Sequence, residues 1–406
     1  MTMIAKPGST TRIAAGVEEV MRLTERPVRR PADPNVIDLS SGDPDFRTPA
    51  HVQEALREAV AGGYSNYPPS GGDLEFLAAI ARRLERVSGR SWNPSQIVVT
   101  VGATGAITAT MTAYINKGDV VLIPQPAYSL YADATRLSGG EVVWVDQTPD
   151  HHLDLDALRA AAESVADRAK MLVLNNPCNP TGTVYGREEL LGALAIAEEF
   201  DLLVLVDEVY DELIFDGRQF ESFLTFPEAA QRVIYCHSLS KTYAMTGWRL
   251  GYVAADASLI KPIAQVARLI SGGVTWTVQR AGIAALEGGE EPTRLMREEY
   301  QARRDLIAEL LAGAAGVSWT PPQGAFYAFL RYEAPLTAIE AQALLDRNGV
   351  RLRSGTEYGP GGQNHVRLSF AASREAITAG IERVLATFDP ANIESILRSS
   401  NGGGRV

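Results

Sequence analysis

Cysteine is almost absent from this chain: Cys178 and Cys236 are the two copies among 406 residues. That excludes a disulfide-stapled scaffold and fits a reducing compartment, so a cytoplasmic protein is expected. No Cys-x-x-Cys pair occurs, and histidine is limited to five residues. Adjacent His151 and His152 sit in a polar stretch with Asp150 and Asp154 and lack zinc-ligand spacing. They read as a surface loop, and no metal site is expected. Long apolar runs are missing too. No window approaches the ~20 apolar residues of a membrane span, and the first residues lack a charged-then-apolar signal pattern. Positive charge is in deficit: 38 Lys and Arg against 49 Asp and Glu give a net charge of −11. Neither nucleic acid nor an anionic membrane is therefore an expected partner. The tail from Ser399 to Val406, with three consecutive glycines, reads as a flexible end.

What is present is a chain long enough for two or three domains. Short, continuous apolar runs recur at Ile97–Val101, Val120–Ile123, Glu141–Val145 and Met171–Leu174. Leu202–Val206, Val233–Cys236 and Gly251–Ala254 bring the set to seven. Continuous rather than alternating hydrophobicity means burial on both faces, as in a mostly parallel sheet covered by helices. Residues 187–200, 292–312 and 373–388 carry helical spacing, and a strand pair is expected near Phe326–Leu330 and Val366–Phe370. The expectation is an α/β fold. A large domain over residues 50–289 holds the mostly parallel seven-stranded sheet. A smaller α+β domain is built from both termini, residues 1–49 and 290–406.

The most specific stretch is Ser238-Leu-Ser-Lys-Thr-Tyr-Ala-Met-Thr-Gly-Trp-Arg-Leu-Gly251. Lys241 offers an amine that can condense with an aldehyde. Ser238, Ser240 and Arg249 can hold a phosphate, and Arg249 does so with a planar fork of donors. An amine beside a phosphate grip is what pyridoxal phosphate requires.

Other motifs follow apolar runs, at strand ends where ligands collect in doubly wound sheets. Asn175-Asn-Pro-Cys-Asn-Pro-Thr-Gly182 forces a turn. Asn179 there offers an amide to a phenolic oxygen or a carboxylate; alone, the loop reads equally as Asn satisfying its own backbone. Asp207 ends a strongly apolar run, where a buried carboxylate needs a cation such as a protonated pyridine nitrogen. Such a carboxylate keeps the ring an electron sink, although an Asp at a strand end also caps helices. Tyr210 can reach a ring hydroxyl oxygen. Val101-Gly-Ala-Thr-Gly-Ala106 opens a helix, so Ala103 and Thr104 can meet a phosphate. It is not a dinucleotide fingerprint, because the third glycine is missing. Tyr128 can stack on a flat ring or simply pack in the core. Arg367, inside an apolar run, needs an anion, either a substrate carboxylate or a protein one.

The chain resembles the fold type I, class I/II pyridoxal-phosphate-dependent aminotransferases, in the aspartate-aminotransferase-like branch, from about residue 35 to 388. The motifs occur in the family's order, and the Lys241 segment matches at essentially every constrained position. The resemblance implies that Lys241 carries the cofactor as an aldimine and then moves the proton between the substrate Cα and the cofactor. It implies that Asp207 meets the pyridine nitrogen and that Asn179 and Tyr210 meet the ring oxygen. Ser238, Ser240, Arg249 and the Ala103 and Thr104 amides hold the phosphate, and Tyr128 stacks on the ring. Arg367 takes the α-carboxylate and Gly42 packs over the substrate. Tyr67 reaches the phosphate of a neighbouring subunit, which implies a homodimer with shared sites. The implied reaction is ping-pong transfer of an amino group between an L-amino acid and a 2-oxo acid.

Three departures fall near substrate-facing elements and leave the cofactor set whole. Thr104 stands where aspartate-using relatives place lysine, Phe76-Leu77 replaces Leu-Arg, and Ser354-Gly-Thr-Glu-Tyr358-Gly replaces a Pro-Gly lid. They leave the amino donor open. The same cofactor residues also suit a β-lyase, racemase, decarboxylase or cyclopropane-forming synthase. A non-catalytic pyridoxal-phosphate-sensing domain is the reading from another class.

Overall fold

The computed structural model describes residues 13–23, 33 and 35–394, so the tail after Glu394 lies outside the described residues. All seven apolar runs are strands of one sheet. These are β1 (Ile97–Thr100), β2 (Val120–Gln125), β3 (Glu141–Asp146), β4 (Ala169–Asn175), β5 (Leu203–Asp207), β6 (Val233–Ser238) and β7 (Gly251–Ala255). Their order is β1-β7-β6-β5-β4-β2-β3. Strand β7 runs antiparallel to both neighbours, and the other pairings are parallel.

Each strand feeds two cores, because successive side chains point to opposite faces. Leu122, Leu172, Leu174, Val204 and Val206 join one cluster with Phe76, Ile80 and Leu194 from covering helices. Val121, Ile123, Met171, Val173 and Leu205 join another with Ile107, Met111 and Ile263.

The apolar runs placed six of the seven strand ends one or two residues too early. β4 continues to Asn175, β5 to Asp207 and β6 to Ser238. Polarity ends a hydrophobic run but not a hydrogen-bond ladder: Asn175 still pairs with Asp207, and Ser238 with Gly251. Three polar side chains are thereby fixed in the sheet at its carboxyl edge.

The expected strand pair forms, within a four-stranded antiparallel sheet. Its strands are β8 (Val317–Trp319), β9 (Tyr327–Tyr332), β10 (Arg353–Ser354) and β11 (His365–Ser369), ordered β10-β11-β9-β8. β8 and β10 are too short for a period to be legible. Helices Glu291–Leu311 and Arg374–Phe388 pack on this sheet through Met296, Tyr300, Ile307, Ile381 and Val384. Ile37–Asp38 pairs in parallel with Val350–Arg351. His151 and His152 are half-exposed, but not free: His152 meets Glu189 and His151 packs edge-on against Phe329. Among the described residues, no helix is long and apolar enough to cross a membrane.

Candidate active site

The carboxyl edge of the large sheet opens on a cavity of about 370 Å³. Every candidate site residue from the sequence lines it except Tyr67, which is 90% exposed elsewhere on the surface; Phe76 and Leu77 are instead buried in the core beside the large sheet.

At the end of β5 the Asp207 carboxylate is buried. The Tyr131 hydroxyl donates to its Oδ2 at 2.8 Å and the Val209 amide to its Oδ1 at 3.2 Å. Burial raises this carboxyl to about 6, against those two hydrogen bonds and the charge of Lys241, which favour ionisation. One strand over, Asn175 Nδ2 donates to the Asp207 carbonyl at 3.0 Å. Asn175 Oδ1 accepts from the Asn179 amide at 2.8 Å, which pins the Asn179 loop to the sheet.

Asn179 Oδ1 in turn accepts from Arg367 Nη1 at 3.1 Å. The Arg367 guanidinium lies 4.3 Å above the Tyr327 ring centre, and its Nη2 donates to the Ser40 carbonyl. Its Nε is buried without a hydrogen-bond partner among the described residues. A buried donor left unmet costs about 1–3 kcal/mol, so this face of the guanidinium is set for an anion. Tyr327 also shares a 2.8 Å hydrogen bond with the Tyr210 hydroxyl.

Ser238 ends β6 and caps the short helix Leu239–Thr242, with the Ser240 amide donating to its Oγ at 3.1 Å. The two serine hydroxyls are 2.8 Å apart. Lys241 follows one residue later, and its Nζ donates to the Gly42 carbonyl. Burial lowers the Lys241 ammonium to about 8; Arg367 and Arg249 push the same way, opposed by Asp43 and Asp207. Arg249 holds the left-handed conformation at φ 55° and donates from Nη1 to the Thr246 carbonyl at 2.8 Å. A Cβ on Gly102 would lie 2.7 Å from Arg249 Nη2, so glycine there makes room for the guanidinium. Ala103 and Thr104 stand in the first turn of the helix Gly102–Tyr114, whose leading amides lack intrahelical partners. Tyr128 meets Tyr131 edge-on, with ring centres 5.8 Å apart.

Sequence reasoning missed Tyr131, Asn175, Tyr327 and Arg353, all of which line the cavity. The residues present fit pyridoxal phosphate. A depressed lysine, a serine and arginine grip beside helix amides, and a buried carboxylate that favours a cationic partner share one cavity.

The family model for aminotransferase class I and II matches residues 34–384. The aspartate aminotransferase of Geobacillus stearothermophilus is 33% identical over 360 residues, covering 86% of this chain and 90% of that one. An LL-diaminopimelate aminotransferase of Nostoc sp. is 34% identical over 374 residues, covering 90% and 94%. The solved aromatic aminotransferase from Pyrococcus horikoshii superposes with a TM-score of 0.85 at 33% identity, covering 93% of this chain and 100% of that one.

Proposed function

The chain belongs to the aminotransferase class I and II family, and from that premise we propose how its residues run the reaction. It is a pyridoxal-phosphate-dependent aminotransferase, which moves an amino group from an amino acid to a 2-oxo acid. When bound, the cofactor supplies an aldehyde for amines to condense with and a ring that delocalises the electron pair left at Cα.

The protein's part is positioning and proton transfer. Arg367 binds the substrate α-carboxylate, using the Nε that is otherwise unmet. Asn179 holds that guanidinium in place. Lys241 removes the Cα proton as a neutral amine, which its lowered pKa makes available near neutral pH. It would then deliver that proton two atoms further along, across the nitrogen, to the cofactor carbon C4′. Asp207, fixed by Tyr131 and Val209, keeps a positive charge on the ring nitrogen, and that cation in turn holds Asp207 ionised. Tyr210 and Asn179 serve the ring oxygen, and Tyr128 covers the ring. Ser238, Ser240, Arg249, Ala103 and Thr104 grip the phosphate. Gly42 borders the substrate. Amino acid and 2-oxo acid take turns in the one cavity, in ping-pong order.

We also assign Tyr67 to the phosphate of a second copy, in a homodimer. Its exposure supports this, with Leu74 and Leu269 also exposed, at 70% and 73%. A division into residues 50–289 and 1–49 plus 290–406 draws support from the pairing of Ile37 with Val350. A cytoplasmic location draws support from two buried free thiols.

The observation that carries the reading is that Lys241 of the helix Leu239–Thr242, Asp207 at the end of β5 and Arg367 within β11 line one cavity. The test gives the holoenzyme an amino donor without acceptor. One equivalent of 2-oxo acid per cofactor, with the cofactor left in its amine form, supports transfer. Ammonia release or racemised donor contradicts it.

A further inference from the structure

Three guanidinium groups line the cavity, those of Arg249, Arg353 and Arg367. The reading above occupies Arg249 with phosphate and Arg367 with the α-carboxylate. Arg353 is left over. It sits on β10 directly opposite Arg367 of β11. Directly opposed residues of an antiparallel pair project from the same face, and like charges so placed repel. The pair therefore favours anions at the substrate end of the cavity.

The two arginines differ in how fully they are engaged. Arg367 is buried and held by Asn179, Ser40 and the Tyr327 ring. Arg353 keeps 31% of its side chain exposed. Its Nη1 stands 3.4 Å from Glu357 Oε2, four residues on across the turn Gly355–Tyr358. That is longer than the roughly 2.7–2.9 Å of a tight charge-assisted hydrogen bond. Thr104, within the phosphate grip, adds a hydroxyl and no charge.

We propose that Arg353 determines substrate specificity by receiving an anionic group carried beyond the α-carbon. The substrates are then dicarboxylic amino acids and their 2-oxo acids. The proposal rests on Arg367 as the α-carboxylate site, because only then is Arg353 free for the side chain.

The test compares glutamate with glutamine and aspartate with asparagine, in holoenzyme and in Arg353→Met and Arg353→Lys variants shown by absorbance to hold a full complement of cofactor. Wild type should prefer at least one acid over its amide by tenfold or more in kcat/KM. Arg353→Met should lower the acid's kcat/KM by about 10- to 100-fold, the worth of a charge-assisted contact, and leave the amide within about threefold. Arg353→Lys should restore part of the preference. Glutarate, which binds without reacting, should lose affinity for the Met variant by a comparable factor in calorimetry. The proposal is overturned if neither acid is preferred, or if the Met variant lowers acid and amide alike. Failure of the underlying reading has a different mark: Arg367→Met would then spare all four donors.

Discussion

The Tyr131 hydroxyl donates a 2.8 Å hydrogen bond to Asp207 Oδ2, and both side chains are buried. A tyrosine from the helix after β2 thus aims a carboxylate that ends β5. Asp207→Asn removes the charge and keeps the shape. It should lower the half-reaction rate by at least 100-fold, because an amide cannot hold a positive charge on the ring. Tyr131→Phe removes one neutral donor to a carboxylate, worth about 1.5–3 kcal/mol at most, so its loss should stay near or below about 100-fold. Stopped-flow absorbance of the amino-donor half reaction distinguishes them. Equal rates for Asp207→Asn and wild type would refute the assignment.

Lys241 sets a pH dependence. Its folded pKa is lowered to about 8 from 10.5, so the charged form is penalised in the folded apoprotein. Between those values the unfolded chain binds more protons than the folded one, and apoprotein stability should rise with pH across that window. Lys241→Met should remove the rise. The rate at which apoprotein takes up pyridoxal phosphate should climb with pH and level off above about 8, as the neutral amine becomes dominant. A rate still climbing at pH 10 would mark an unperturbed lysine.

Gly42 packs against the aromatic floor. A Cβ there would lie 2.0 Å from the Tyr327 hydroxyl oxygen, which is bonded to Tyr210. Gly42→Ala should displace Tyr327 and cost about 1–3 kcal/mol in stability, as overpacking does. It should also cut kcat/KM at least tenfold. Chemical denaturation alongside kinetics checks both, and unchanged values in both would show that the approach is relaxed at no cost.

The exposed position of Tyr67 yields a complementation experiment. Tyr67→Phe and Lys241→Ala chains, each impaired alone, should regain activity when mixed, because a hybrid dimer contains one site with both residues intact. Verified hybrids with no recovery would remove Tyr67 from the partner's site.

Much of this was legible in the sequence, for identifiable reasons. Strands β2, β4 and β5 are buried on both faces, so their hydrophobicity is continuous and conspicuous. Lys241, Ser240 and Arg249 lie within a dozen residues, so their spacing carries information locally. Tyr131 did not stand out, because a tyrosine in an apolar stretch reads as core; its three-residue spacing from Tyr128 was the available signal. Tyr327 lies in a strand buried on both faces, Tyr327–Tyr332, so from sequence it reads as core. The role suggested for Arg353 depends on its register against Arg367, and that register is set across an intervening turn that no short-range pattern specifies.

The central claim is that Lys241 is the amine that holds the cofactor and moves the proton. The most direct measurement is borohydride reduction of the holoenzyme, followed by peptide mass mapping. The account predicts the cofactor's mass on the peptide containing Lys241 and its loss in Lys241→Ala. The label on another lysine, or no retained label in wild type, would contradict it.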